Sequence, residues 1–247
     1  MRGIKAPFLY RGILMVWMLV CMFSARAQTC LVAIDAGHTR ENVGAISARG
    51  VGEWHFNIAL AKKLAASLKE QMIPHVLINP DGDDMALRDR TDAAAQAGAT
   101  LFVSLHHDAV QPHYLSEWEW AGEKRLYSDH FSGYSLFVAA GNPAYEESRK
   151  VAGRIADSLL GEGMTPALHH AEAIAGENRQ LLDSGRGIYL FDELVVLRES
   201  SSAAVLVEAG IIVNREEELK VSTLAYQEKI TGALAVAIRA HCTRLGN

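Results

Sequence analysis

The sequence predicts an α/β domain of three layers, a mostly parallel central sheet with helices on both faces. Three observations predict it. Apolar runs at Leu31–Asp35, Leu101–Leu105 and Ala203–Glu208 have the length and composition of buried strands. Amphipathic helical stretches lie between the runs, and strand–helix alternation of this kind builds a parallel sheet covered on both sides. Each run also ends in, or just before, a histidine or carboxylate, at the strand end where open α/β sheets bind ligands. With 247 residues, 49% of them hydrophobic, the chain can bury a full core.

Residues 1–27 read as a signal peptide rather than part of the fold. Arg2, Lys5 and Arg11 form a basic start, Ile13–Phe23 is an apolar run, and Ala25-Arg26-Ala27 has the small-x-small form of a cleavage site. An uncleaved membrane anchor is the other reading. The run falls short of the roughly 20 residues a spanning helix needs, so no stable anchor is expected. Residues 28–247 then form a single domain. Taking Arg2, Lys5, Arg11 and Arg26 from the 24 basic residues leaves 20 against 29 acidic ones, a net charge of −9. That sign disfavours nucleic acid as a partner. Cys30 and Cys242 remain near the two mature ends; in an oxidising compartment they could pair, or they could be unrelated buried thiols.

Along the chain, Leu31–Asp35 is followed by the small-residue turn Ala36-Gly37, which throws out His38. Asn42–Gly52 is glycine-rich and reads as a loop. Glu53 opens a helix whose core stripe is Phe56, Leu60, Leu64 and Leu68. His75–Ile78 is a second strand, ended by the turn cluster Asn79-Pro80-Asp81-Gly82. Ala86–Ala97 is a helix stopped at Gly98. The strand at Leu101–Leu105 runs directly into His106, His107 and Asp108. Val110–Gly133 shows no clear period and carries Tyr114, Trp118, Trp120 and Tyr127; a loop so long is usually functional or mobile, a contact for glycan or peptide or a lid, and a structural hairpin capping the domain is the equal alternative. Tyr134–Ala139 reads as a strand and Glu146–Leu160 as a helix. Thr165–Gly187 is irregular and contains His169 and His170. Ala203–Glu208 is the last buried strand, and Asn214–Arg239 is mostly helical.

His38, Glu53 and His106 are thus three ligand-type residues carried to one rim by two strand ends and a helix start. Two histidines and a glutamate with an open fourth position make a catalytic zinc arrangement. Glu208, at the end of the last strand, adds a carboxylate able to take a proton from an activated water and pass it to a leaving amine. Taken singly each residue has a plainer role, such as a helix-dipole partner for Glu53.

At this point the chain resembles a known family, the zinc-dependent N-acetylmuramoyl-L-alanine amidases of bacteria with a phosphorylase/hydrolase-like fold. The likeness runs from Leu31 to about His241. Ile34-Asp-Ala-Gly-His38 is similar to the family's opening metal motif, and Glu53 falls 15 residues later, where the second ligand stands. Ser104-Leu-His106-His-Asp-Ala109 resembles its serine–aliphatic–histidine motif. Val205-Leu-Val-Glu208 through Asn214 resembles the closing motif, with its glutamate and the asparagine six residues on. Arg186-Gly187 and Leu197-Arg198 have counterparts too. Two features depart from the pattern: Thr39-Arg40 replace glycines after His38, and Val110–Gly133 is longer and more aromatic.

The resemblance implies hydrolysis of the amide between N-acetylmuramic acid and L-alanine in peptidoglycan. It implies one Zn2+ per chain on His38, Glu53 and His106, with Glu208 catalytic and with Arg198 and Asn214 contacting substrate. Peptidoglycan or muropeptides would be the ligand and a protein activator a further partner. The enzyme would be exported, periplasmic or secreted. A zinc peptidase or deacetylase acting on another amide is the alternative within the same chemistry, and an inactive cell-wall-binding module the alternative outside it. His107, His169 and His170 receive no task on this reading.

Overall fold

The computed structural model describes residues 30–245; the signal peptide expected at 1–27 lies outside them. Among these described residues nine strands and six α-helices follow one another. The large sheet takes β1 (Val32–Ala36), β2 (His75–Ile78), β3 (Leu101–Asp108), β6 (Ser135–Val138), β7 (Gln180–Asp183), β8 (Ile188–Leu190) and β9 (Ala203–Ile211), in the order β2-β1-β3-β9-β6-β8-β7. The β1–β2, β1–β3, β3–β9 and β6–β8 pairs are parallel; β6–β9 and β7–β8 are antiparallel. The sheet is therefore mostly parallel, as the alternation of elements predicts.

Side-chain alternation sends the two faces of the sheet into separate cores. On β1, Val32, Ile34 and Ala36 join one cluster together with Leu60, Leu64 and Leu68 of α1 (Glu53–Glu70), Ile155 of α3 (Tyr145–Gly161) and Ile238 of α6 (Leu224–Leu245). Ala33 faces the other way, into a cluster with Ala94 of α2 (Leu87–Gln96) and Val196 of α4 (Val195–Arg198). Leu60, Leu64 and Leu68 of the predicted stripe are buried, and Phe56 packs partly buried beside them.

Several boundaries differ from the sequence reading, each for a physical reason. Val110–Gly133 follows the hairpin alternative, with β4 (Ser116–Trp120) and β5 (Glu123–Tyr127), whose bounds are not legible in sequence. Its two-residue turn, Ala121-Gly122, has positive φ at both positions, and charges on the strands hide the alternation. β7 is a half-exposed edge strand and β8 only three residues long, so neither leaves an apolar run within or beside the stretch read as irregular. The last strand continues past Glu208 to Ile211 because small or apolar Ala209, Gly210 and Ile211 are buried too. The C-terminal helical stretch divides at Ser222-Thr223 into α5 (Arg215–Val221) and α6.

Cys30 and Cys242 form a disulfide, with Cα atoms 5.2 Å apart and a sequence separation of 212. No helix among the described residues is long and apolar enough to cross a membrane.

At the C-terminal end of β1 a buried ion pair underlies the turn to His38. Arg90 of α2 is 2% exposed; its Nη1 donates to Asp35 Oδ1 at 2.7 Å and to the Ala36 carbonyl at 2.7 Å, and its Nη2 donates to the His38 carbonyl. The other Asp35 oxygen accepts from Ser104 Oγ of β3 at 2.7 Å. Removing one partner strands the other charge in a dry site, at a cost of about 3–5 kcal/mol. We expect Arg90→Met to lose that much stability in denaturant unfolding. Asp35→Ala introduced together with it should recover part of the loss.

Candidate metal centre and cleft

His38 follows β1 through Gly37 and sits in the left-handed region, at φ 67°. A side chain other than glycine is strained there, and the Arg90 bond to its carbonyl holds the conformation. Gly37 is needed for space: a Cβ at that position would fall 2.2 Å from the His106 ring. Gly44, at φ 76°, likewise lies against His38 and Glu53, where a Cβ would fall 2.5 Å from both.

Glu53 opens α1 and is 4% exposed. Its carboxylate is bonded on every side. Oε2 lies 2.9 Å from His38 Nε2 and accepts from the Ala45 amide at 3.1 Å. Oε1 lies 3.0 Å from His106 Nδ1 and accepts from the His107 amide at 3.2 Å and from Asn57 Nδ2 at 3.0 Å. Burial pushes the Glu53 pKa up, but the bonds from His106 and His38 outweigh it and hold the group well below the usual carboxylate range. The His38 and His106 rings meet edge-on with centroids 5.0 Å apart. One ligand atom from each of His38, Glu53 and His106 lies within 4.8 Å of the others. The three residues that sequence spacing singled out, separated by up to 68 positions, therefore do converge.

Glu208 pairs in register with His106 across β3 and β9, and the β3–β9 ladder is irregular just beyond, between His106 and Asp108. Glu208 Oε2 is buried and has no hydrogen-bond partner. Burial raises its pKa well above the ordinary value, and the Asp108 and Glu53 carboxylates push it further the same way. These groups line a cleft of about 320 Å³. A second depression of about 420 Å³ shares His38, His106 and Leu194 with this cleft and is also lined by Met85, Leu87 and Val195.

The other residues named from sequence fall elsewhere. Arg198 donates to Glu199 at 3.1 Å and to the Asp192 carbonyl at 2.8 Å, and is not part of either depression's wall. Asn214 caps α5: its side chain accepts from the Glu216 and Glu217 amides and donates to the Phe131 carbonyl. It lines a separate hollow with Asp129 and Lys220. Arg40, one of the two residues replacing the expected glycines, lies over the Trp54 ring at 5.5 Å.

Three features escaped the sequence reading. Asn57 stands four residues after Glu53, one turn along the same helix face. It donates to Glu53 and to the Gly37 carbonyl and meets His107 Nδ1 at 2.8 Å through Oδ1. His107 is thereby part of the support beneath Glu53. Asp35 and Arg90 brace the His38 turn; a buried arginine in a polar helix leaves no periodic signal. Finally, Asp108, His169 and His170 bring their ligand atoms within 4.8 Å of one another, and Asp108 and His170 line the cleft.

A sequence profile described as N-acetylmuramoyl-L-alanine amidase matches residues 32–240. The N-acetylmuramoyl-L-alanine amidase AmiA of Salmonella typhimurium is 28% identical over 234 residues, covering 84% of this chain and 74% of the relative. AmiA of Escherichia coli is 26% identical with the same coverage. Among solved structures, the amidase AmiC2 of Nostoc punctiforme superposes with a TM-score of 0.65 at 23% identity, over 87% of this chain and 98% of that one. The CwlD amidase of Clostridioides difficile, solved in complex with the GerS lipoprotein, gives a TM-score of 0.65 at 18% identity, over 87% of this chain and 100% of that one.

His107 also makes the site's support sensitive to acid. Burial lowers its pKa from 6.5 to about 4, against the pull of Glu53, with His106 lowering it further. Between those values the unfolded chain binds the proton and the folded chain does not, so stability falls as pH is lowered from 6.5 towards 4. The dependence is on the order of 3 kcal/mol for a shift of that size. Melting temperatures taken across this window should fall less steeply for His107→Gln, which keeps a donor for Asn57.

Proposed function

Since the chain belongs to the N-acetylmuramoyl-L-alanine amidase family, and so is a hydrolase acting on peptidoglycan, we propose that its chemistry is that of a zinc amidase centred on His38, Glu53, His106 and Glu208. The observation that carries this is the convergence of two imidazoles and one ionised carboxylate beside a buried, unpartnered glutamate oxygen. The donor set fits zinc: nitrogen and oxygen ligands, three from protein, with room in the cleft for a fourth. Two of the ligands are also held from behind, Glu53 by Asn57 and the Ala45 amide, His38 by the Arg90 bond to its carbonyl. Zinc on these three residues supplies Lewis acidity to the amide carbonyl and to water.

Glu208 moves the proton. Its carboxylate takes one proton from the attacking water as the water oxygen bonds to the lactyl carbonyl carbon. It then delivers that proton to the alanine nitrogen as the carbon–nitrogen bond breaks. A pKa raised by burial, Asp108 and Glu53 suits a group that must hold the proton between the two steps. A divalent cation held by His38, Glu53 and His106 would offset those negative neighbours and favour the ionised form of Glu208. Apolar Met85, Leu87 and Leu194, which line the adjoining depression, give the substrate a surface beside His38.

Residues 1–27 direct export and are removed, leaving a mature chain of 28–247 outside the cytoplasm. The Cys30–Cys242 disulfide supports an oxidising compartment. A protein activator is a second class of partner; support comes from the CwlD amidase solved with the GerS lipoprotein.

Glu208→Gln should abolish muropeptide cleavage while zinc content, measured by elemental analysis, stays at the wild-type value. Full activity in that variant would overturn the assignment of the base. Products from purified peptidoglycan should be glycan with free muramic lactyl groups and intact stem peptides beginning in alanine; cleavage within the stem would favour a zinc peptidase instead.

A further inference from the structure

We infer that Asp108, His169 and His170 form a second divalent-cation site, in the same cleft as the first and built on the same donor set. His170 Nδ1 lies 2.9 Å from Glu177 Oε2, and the other Glu177 oxygen accepts from Gln111 Nε2 at 2.9 Å. A carboxylate at Nδ1 holds a proton there and turns Nε2 towards Asp108. This is the carboxylate–histidine arrangement that orients metal-bound imidazoles. That Nε2 lies 2.9 Å from Asp108 Oδ2. The pair is satisfied by a positive centre between the two atoms, either a proton or a metal ion.

His169 makes the case stronger. Its Nε2 lies 3.1 Å from the same Asp108 oxygen, yet neither ring nitrogen has a hydrogen-bond partner. The side chain is 1% exposed, and its ring lies against Phe131 with centroids 5.0 Å apart. An imidazole with both nitrogens buried and unsatisfied is costly. Asp108 Oδ1 is already bonded to the Ala109 amide at 2.8 Å, so Oδ2 is the oxygen on offer. A proton on His170 would satisfy one nitrogen of the pair and leave His169 unpartnered. A cation at the common point satisfies all three atoms. Two imidazoles and a carboxylate select a borderline metal such as zinc over calcium or magnesium.

The two sites share β3: His106 serves the first and Asp108, two residues on, the second. The inference does not depend on the first cluster's assignment, and one experiment separates the two. The full chain is stripped with a chelator, reloaded with zinc or cobalt and freed of excess metal. Metal per chain is then measured by mass spectrometry and the cobalt absorption bands are recorded. Wild type should hold about two ions, one for each cluster. His169→Phe, which keeps the stack on Phe131, should hold about one and lose one set of cobalt bands. His38→Ala should also hold about one and lose the other set. Asp108→Asn, which keeps the Ala109 bond, should repeat the His169→Phe result if that variant folds poorly. A wild-type content of one ion, lost in His38→Ala and unchanged in both His169→Phe and Asp108→Asn, would overturn the inference. One ion kept in His38→Ala and lost in His169→Phe would instead leave this site standing and sink the zinc assignment of the first.

Discussion

The site depends on one buried arginine. Arg90 reaches under the end of β1, neutralises Asp35, and bonds the backbone of Ala36 and His38. That contact holds His38 in a left-handed conformation that a histidine does not choose unaided. It also ties β1 to β3, since the second Asp35 oxygen is bonded to Ser104, two residues before His106. Both histidines of the first cluster thus hang from one ion pair. Rigidity at this point lets side chains far apart in sequence meet within a few ångströms.

Electrostatics organises the rest of the cleft. Glu53, Asp108, Glu177 and Glu208 are all at least partly buried around it. Glu53, Asp108 and Glu177 are compensated by neighbouring side chains, and Glu208 is not. Glu53 is ionised against two histidines. Asp108 is held down to about 2, because His170 and His169 more than offset its burial, while His170 rises to about 9 for the converse reason. Glu208 Oε2 has no hydrogen-bond partner, and burial with the Asp108 and Glu53 charges raises its pKa well above the ordinary value. One glutamate among otherwise compensated carboxylates is the arrangement that sets apart a group that trades protons from groups that hold position.

Much of this was legible in the chain. The strands carrying His38, His106 and Glu208 are continuous apolar runs because both faces of a parallel strand are buried, so their ends could be read directly. Glu53 could be placed because the leucines after it keep helical spacing. The supporting residues were harder. Asn57 is one helical turn from Glu53, a signal that was present and passed over. Arg90 sits in a polar, alanine-rich helix, where nothing local distinguishes a buried charge from a solvated one. His169 and His170 lie in a stretch with little regular structure, and their meeting with Asp108 arises only from the folded path. Arg198 and Asn214 show the converse: residues suggestive in sequence whose side chains are engaged in local bonds and a helix cap.

The Cys30–Cys242 bond closes nearly the whole described chain into a ring. Tension applied to segments beyond the two cysteines passes through the sulfur link and bypasses the sheet and helices inside it. Everything that shapes the cleft, from β1 to the last turns of α6, lies within that loop. A molecule pulled or tethered at its extremities can therefore transmit load without the strands sliding and without displacing the groups they carry.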